Sequence, residues 1–218
     1  MEINIHPIIG FFIREGVPFE TVILILMLPL IATFIALLRQ VFGIKAFGIY
    51  TPLIITFAFL ATNGIRYGIF IFVAVILSGM IMRFALKPFR LLYLPRVAIM
   101  ISVVAIIVLL ILTIGGSLKR TGLASVSIFP ILIMITLVEK FIAVQIEKGN
   151  KIAFKLALET LIISIVGYYL ASWETLIKLL ASYPWIILFT LPINIILGKW
   201  TGLRFSEYLR FREILKKP

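Results

Sequence analysis

The chain has 218 residues, 62% of them hydrophobic and 14% charged, and a mean hydropathy of +1.20. A water-soluble globule of this length has too little interior to hide so much apolar surface, so the solvent around most side chains is read as lipid. The net charge of +12 does not point to nucleic acid, because the 21 Lys and Arg stand at the ends of apolar runs, where membrane proteins place cations.

Residues 1–20, MEINIHPIIGFFIREGVPFE, carry Glu2, Arg14, Glu15 and Glu20 but no basic stretch followed by a small-residue cleavage site. No cleaved signal peptide is expected, and the first span serves as an uncleaved insertion signal. A charge at mid-bilayer costs roughly 2.5–3.5 kcal/mol, so charge-free runs locate the spans. They are Thr21 to Leu38, Ala46 to Ile65, Tyr67 to Met82, Val97 to Leu118, Thr121 to Val138, Thr160 to Trp173 and Leu179 to Gly198. The third and sixth runs are short, and their helices are expected to extend over Arg83 and Glu159, whose long side chains can snorkel.

Seven spans divide the cations unequally. One side receives Arg14, Arg66, Lys119, Arg120 and Lys178, which is 5; the other receives the remaining 16. The positive-inside rule then puts the N-terminus outside and the C-terminus in the cytoplasm. Tyr168, Tyr169, Trp173, Tyr183 and Trp185 fall at the outer ends of the sixth and seventh spans, as an aromatic belt does. The expected fold is an all-α, polytopic protein of the cell membrane, one domain over 1–218. Its parts are an outer segment 1–20, a first half 21–118, the remainder of a second half 119–178, a seventh helix 179–203 and a basic tail 204–218.

The second span opens GIKAFGIYTPLIITFAF and the fifth TGLASVSIFPILIMITL, with Pro52 and Pro130 78 residues apart. Spans one to three and four to six are read as related halves, and an odd number of spans per half makes the second inverted. Gly/Pro-interrupted segments at matching positions point to a membrane-embedded binding site, since a broken helix frees backbone groups for a ligand. The alternative is that each proline sits in the first turn of its helix, where its missing N–H costs nothing.

The candidate substrate-binding residues are therefore Gly43, Gly48, Thr51 and Pro52, Gly122 and Pro130, with Glu139 and Glu159 as ionisable groups near the membrane. Lys140 can snorkel, Lys155 with Glu159 is spaced as an interfacial pair, and Asn194 suits a bond between helices. Arg83, Lys87, Arg90 and Arg96 line the second cytoplasmic connection. The tail RFSEYLRFREILKKP adds Arg204, Glu207, Arg210 and Arg212 beside Phe205, Tyr208 and Leu209. Such a surface suits anionic headgroups and equally a soluble partner.

The chain has no Cys and no Asp, and its one His, His6, precedes the first span. Thiolate, aspartyl, zinc and Ser–His chemistry inside the membrane are thereby disfavoured, and neither a metal nor a cofactor is expected. A transferase relying on Glu or Lys is left open, with nothing in its favour.

The stretches GIKAFGIYTPLIITFAFLAT, LLYLPRVAIM, FPILIMITLVEKF and TGLRFSEYLRFRE, in that order from about Val41 to Glu213, resemble the seven-helix membrane domain usually fused to an inactive transglutaminase-like domain. Carried over, the motifs fall on Gly43, Gly48, Pro52, Arg96, Pro130, Glu139, Gly202, Arg204, Glu207 and Arg210. GIKAFGIYTP is also similar to the small membrane subunit of poly-gamma-glutamate and capsule-polymer synthases. The resemblance implies a membrane partner for a cytoplasmic ATP-grasp ligase of the glutamate-ligase type. The transglutaminase-like domain has no room in the segment of about 20 residues before the first span, so it is expected on a separate chain, or the protein works without it.

Two functions compete at this point. The first is a non-enzymatic membrane subunit of a peptide or amino-acid polymer synthesis or export system. The second is a secondary transporter for a small anionic or amino-acid solute. The bilayer is the certain partner, nucleic acid is not one, and self-association into an oligomer is compatible with either.

Overall fold

The computed structural model describes residues 5–62, 64–86, 88–89, 92–117 and 128–199, and every regular element among them is helical. In chain order these are α1 (Pro7–Arg14), α2 (Phe19–Leu37) running into a π-turn (Leu38–Phe42), α3 (Tyr50–Leu60), α4 (Ile65–Leu86), α5 (Tyr93–Ser117), α6 (Ile128–Lys148), α7 (Asn150–Ala171), α8 (Glu174–Ser182), a 3-10 turn (Pro184–Phe189) and α9 (Thr190–Gly198).

Among the described residues, five stretches are long and apolar enough to cross a membrane: Phe19–Phe42, Ile65–Leu86, Leu94–Ile114, Phe129–Lys148 and Asn150–Ala171. They carry the first, third, fourth, fifth and sixth expected spans. The other two are not straight rods. Within Ala46 to Ile65 the helix is only the 11 residues of α3, about 16 Å at 1.5 Å per residue against a hydrocarbon core of about 30 Å. The seventh run is a bent pair, Glu174–Ser182 and Pro184–Gly198, turning by 100°. Pro184 opens the second arm and disfavours helical backbone at Tyr183, which sits at φ −133°, ψ 71°.

Helix ends also move relative to the charge-free runs. α6 continues ten residues past Val138 to Lys148, and α7 begins ten residues before Thr160 at Asn150. Glu, Lys, Gln and Ala are good helix formers, so charge ends the apolar run there without ending the helix. α6 and α7 are joined through Gly149 alone, at φ +85°. A Cβ there would meet no atom within 4 Å, so the position is glycine for its backbone and not for space. Gly149→Ala is expected to cost about 1 kcal/mol through the left-handed backbone, read as a lower Tm in mild detergent with unchanged helix content.

The described residues form two compact units, 5–45 with 169–199, and 46–168. In 46–168 the core stripes repeat at helical spacing: Met100, Val104 and Val108 on α5, and Met134, Val138, Phe141 and Ile142 on α6, each no more than 2% exposed. α4 approaches α6 at Gly79, where a Cβ would stand 3.0 Å from Val138 Cγ1, the small-residue contact by which membrane helices pack closely. Ile106, Leu109, Leu110 and Ile114 are exposed on the far face of α5, as lipid contact requires.

In the other unit, Met27, Ile31 and Ile35 of α2 are fully buried. Asn194 Nδ2 on α9 donates to Thr33 Oγ1 of α2 at 2.7 Å and to Thr190 O at 2.8 Å. Asn194 thus makes the bond between helices allowed for it above. The unforeseen α1 is capped by His6, whose Nδ1 accepts from the Ile8 N–H and whose own N–H donates to Ala181 O. Trp173, Tyr183 and Trp185 are each more than half exposed, as belt aromatics are.

Candidate functional site: the broken segment ahead of α3

The backbone between α2 and α3 turns three times into the left-handed region, at Gly43 (φ +79°), Ala46 (φ +39°) and Gly48 (φ +83°). Glycine adopts that conformation freely. Ala46 does not, and a non-glycine residue held there stores roughly 1–2 kcal/mol that its surroundings must impose. Pro52 is the third residue of α3 and Pro130 the third of α6. Both prolines therefore sit in first turns, and at Pro52 the helix break lies just ahead.

α3 is short because it starts inside the bundle. Its first turn faces Lys140, eight residues before the end of α6, and the turn ahead of it faces Glu159, nine residues after the start of α7. At 1.5 Å per residue those are depths of about 12 and 14 Å from the α6–α7 turn. Helix N-termini leave backbone N–H groups without internal partners, and away from water each needs one.

The same holds for the turn just ahead of the N-cap Ile49, where side chains of α7 provide the partners. The Ala46 N–H donates to Glu159 Oε2 at 3.2 Å, and the Phe47 N–H donates to Thr160 Oγ1 at 3.0 Å. Thr160 in turn donates to Leu156 O at 2.7 Å, so its hydroxyl both accepts and donates. Ser164 Oγ lies 3.1 Å from Pro52 O and 2.8 Å from Thr160 O. Thr56 Oγ1 donates to Pro52 O at 2.9 Å, with Ser164 O at 3.3 Å. Lys140 Nζ donates to Thr51 Oγ1 at 2.8 Å.

Thr56, Thr160 and Ser164 are wholly buried, and Thr51 is 6% exposed. The Glu159 carboxylate, one-fifth exposed, also lies 3.8 Å from Lys155 Nζ, the i,i+4 pair expected for them. α7 meets α3 closely at Gly167, where a Cβ would stand 2.5 Å from Thr56 Oγ1. A cavity of about 30 Å³ borders Thr51, Thr136 and Lys140, room for one water-sized guest. The result is a strained turn whose backbone N–H groups are held by polar side chains of α7, beside a small cavity that Ile54, Ile55, Ile133 and Leu137 line together with Thr51, Thr136 and Lys140.

Of the residues singled out from sequence, Thr51, Pro52 and Glu159 meet here, and Gly43 and Gly48 make the break. Glu139 does not join them: it is exposed on α6, and no described residue bonds to it, because the neighbouring position, Lys140, faces α3. Pro130 is buried at the start of α6. Arg83 lies within α4, as expected, and Arg96 lines a second cavity at the start of α5. Gly122, Lys87, Arg90, Arg204, Glu207, Arg210 and Arg212 fall outside the described residues. Sequence reasoning missed Lys140 as a contact, and Thr56, Thr160, Ser164 and Gly167 altogether. The readable signal was Thr160, Ser164 and Gly167, a polar and small stripe at spacings of four and three in an apolar helix.

Over residues 16–215 the chain matches a family described as seven transmembrane helices usually fused to an inactive transglutaminase. No curated protein and no solved structure matches it.

Proposed function

Since the chain belongs to the family of seven-transmembrane-helix domains usually fused to an inactive transglutaminase, and is a multi-pass membrane protein, we propose that it is the non-enzymatic membrane subunit of a peptide or amino-acid polymer synthesis or export system. In this reading it works with a cytoplasmic ligase of the ATP-grasp type, and with a transglutaminase-like subunit on the opposite side. The association of the family with transglutaminase-like domains supports the second partner.

The observation that carries the first partner is the gathering of four helix ends in 46–168. The end of α4, the start of α5, the end of α6 and the start of α7 border one cavity through Leu86, Arg96, Ile146 and Asn150. Among the described residues, Arg96, Lys148 and Lys151 stand at these ends against one acid, Glu147, and the sequence between α4 and α5 adds Lys87 and Arg90. Under the positive-inside rule that end is cytoplasmic, and it offers an acidic soluble protein a complementary surface. Affinity capture of the chain from its own host in mild detergent is expected to bring down an ATP-grasp ligase at low salt and to lose it near ~0.5 M salt. Capture that yields no ligase at any ionic strength sinks this function.

The broken segment favours a second reading, a secondary transporter with inverted halves, in which Glu159, Lys140 and Thr51 contact a small anionic or amino-acid solute. Proteoliposomes that accumulate amino acids only under an ion gradient, and lose this with Glu159→Gln, would establish it. Background uptake with and without the gradient removes it.

A further inference from the structure

The cavity at the gathered ends of α4, α5, α6 and α7 has a volume of about 290 Å³. Its chemistry is divided. Arg96 and Asn150 supply a guanidinium and an amide, and Met100 and Ile142, each no more than 1% exposed, form an apolar floor. Leu86, Phe84 and Ile146 complete the lining, and the last two are 57% and 45% exposed, so the apolar wall continues onto the outer surface of the bundle. A free ion would use the guanidinium and waste the apolar wall. A plain hydrocarbon chain would use the wall and make no use of the guanidinium's positive charge.

An amphiphile with an anionic head uses both. We infer that this cavity is a binding site for an anionic phospholipid, its phosphate held by Arg96 and Asn150 and its first acyl carbons lying against Phe84 and Ile146. Three physical features favour this occupant. The volume matches a headgroup rather than a whole lipid, and the site opens toward the lipid-facing surface. A guanidinium has five N–H donors in a planar fork, enough to keep a contact within the protein and also grip a phosphate. Among the described residues at these helix ends, Arg96, Lys148 and Lys151 against the single Glu147 set a positive potential that repels a zwitterion's choline and attracts net negative charge. Basic pockets between membrane helices at the cation-rich side recruit such headgroups. The inference does not depend on a ligase: the site is a property of the bundle 46–168 alone.

The test is native mass spectrometry of the full chain in mild detergent, titrated with phosphatidylglycerol, with phosphatidylcholine of the same acyl chains, and with glycerol 3-phosphate. One phosphatidylglycerol per chain is expected to be retained about tenfold more tightly than phosphatidylcholine. Glycerol 3-phosphate is expected not to compete at equal concentration. Arg96→Gln should weaken phosphatidylglycerol about tenfold or more, the loss of one charge-assisted contact, and level the two lipids. Ile146→Trp, which fills the cavity from its exposed wall and so leaves the core packed, should block retention. Ile25→Trp, on a 61% exposed face of α2, should not. Equal retention of the two lipids overturns the site, as does undiminished preference in Ile146→Trp. Competition by glycerol 3-phosphate overturns the lipid in favour of a soluble phosphate ester.

Discussion

Gly167→Ala should lower the unfolding free energy of the purified chain by about 2 kcal/mol, the usual range for forcing a methyl into a packed core. The added Cβ would stand 2.5 Å from Thr56 Oγ1 and 3.1 Å from Thr56 Cγ2. Thr56 cannot swing aside, because it is wholly buried and its hydroxyl is committed to Pro52 O, with Ser164 O nearby. Thr56→Ala removes both crowded atoms, at a cost of about 1 kcal/mol for the lost hydrogen bond. In the double variant the methyl added at position 167 occupies part of the vacated space. The two costs should therefore fail to add by at least about 1 kcal/mol, as expected of residues in direct contact. Gly198→Ala serves as control, since nothing lies within 4 Å of its Cβ position. Thermal unfolding in a mild detergent reads all four variants against the parent. Strict additivity of Gly167→Ala and Thr56→Ala would mean that α3 and α7 do not meet at this point.

The second large effect concerns the polar groups that hold the broken segment. Thr160→Val keeps the shape and deletes the acceptor of the Phe47 N–H, leaving a backbone donor unsatisfied beside a wholly buried position. An orphaned donor costs about 1–3 kcal/mol in a protein interior, and more where the surroundings are hydrocarbon. Thr160→Ser retains the oxygen and should recover most of that stability. Glu159→Gln keeps an oxygen for the Ala46 N–H while removing the charge, so its fold should remain near the parent. Glu159→Leu should loosen the segment. Hydrogen exchange of a peptide covering residues 44–50 is the local readout: fast exchange is expected in Thr160→Val and Glu159→Leu, slow exchange in Thr160→Ser and Glu159→Gln. Protection that survives Thr160→Val would show that another group holds the Phe47 N–H, and the account of the site would fail.

The pair Glu159→Gln and Glu159→Leu also separates structure from function. A residue needed only as a hydrogen-bond acceptor tolerates Gln. One whose charge binds or couples an ion does not, and loses uptake with its fold intact.

Membrane residence and the five long apolar helices followed from the sequence alone, because transfer of side chains from water to lipid is nearly a sum over residues and needs no knowledge of neighbours. Gly43 and Gly48 marked the left-handed turns ahead of α3, and Pro52 its first turn, for a related reason: glycine and proline act on their own backbone. The bend between Ser182 and Pro184 was written in the same way, although Leu179 to Gly198 was read through it as one span. What the sequence could not give was depth and partnership. That α3 is a half-length helix, preceded by a turn that meets α7 about 14 Å along it, depends on which helix lies beside it. So does the selection of Lys140 over Glu139, adjacent residues some ~100° apart around α6, only one of which faces α3. Helix ends at Lys148 and Asn150 escaped charge counting because lipid ends where charges begin, whereas a helix ends where its hydrogen bonds do. Composition thus determined the solvent of each residue. Packing in three dimensions decided which polar side chains, Glu159, Thr160 and Ser164 among them, answer the backbone groups that the break exposes.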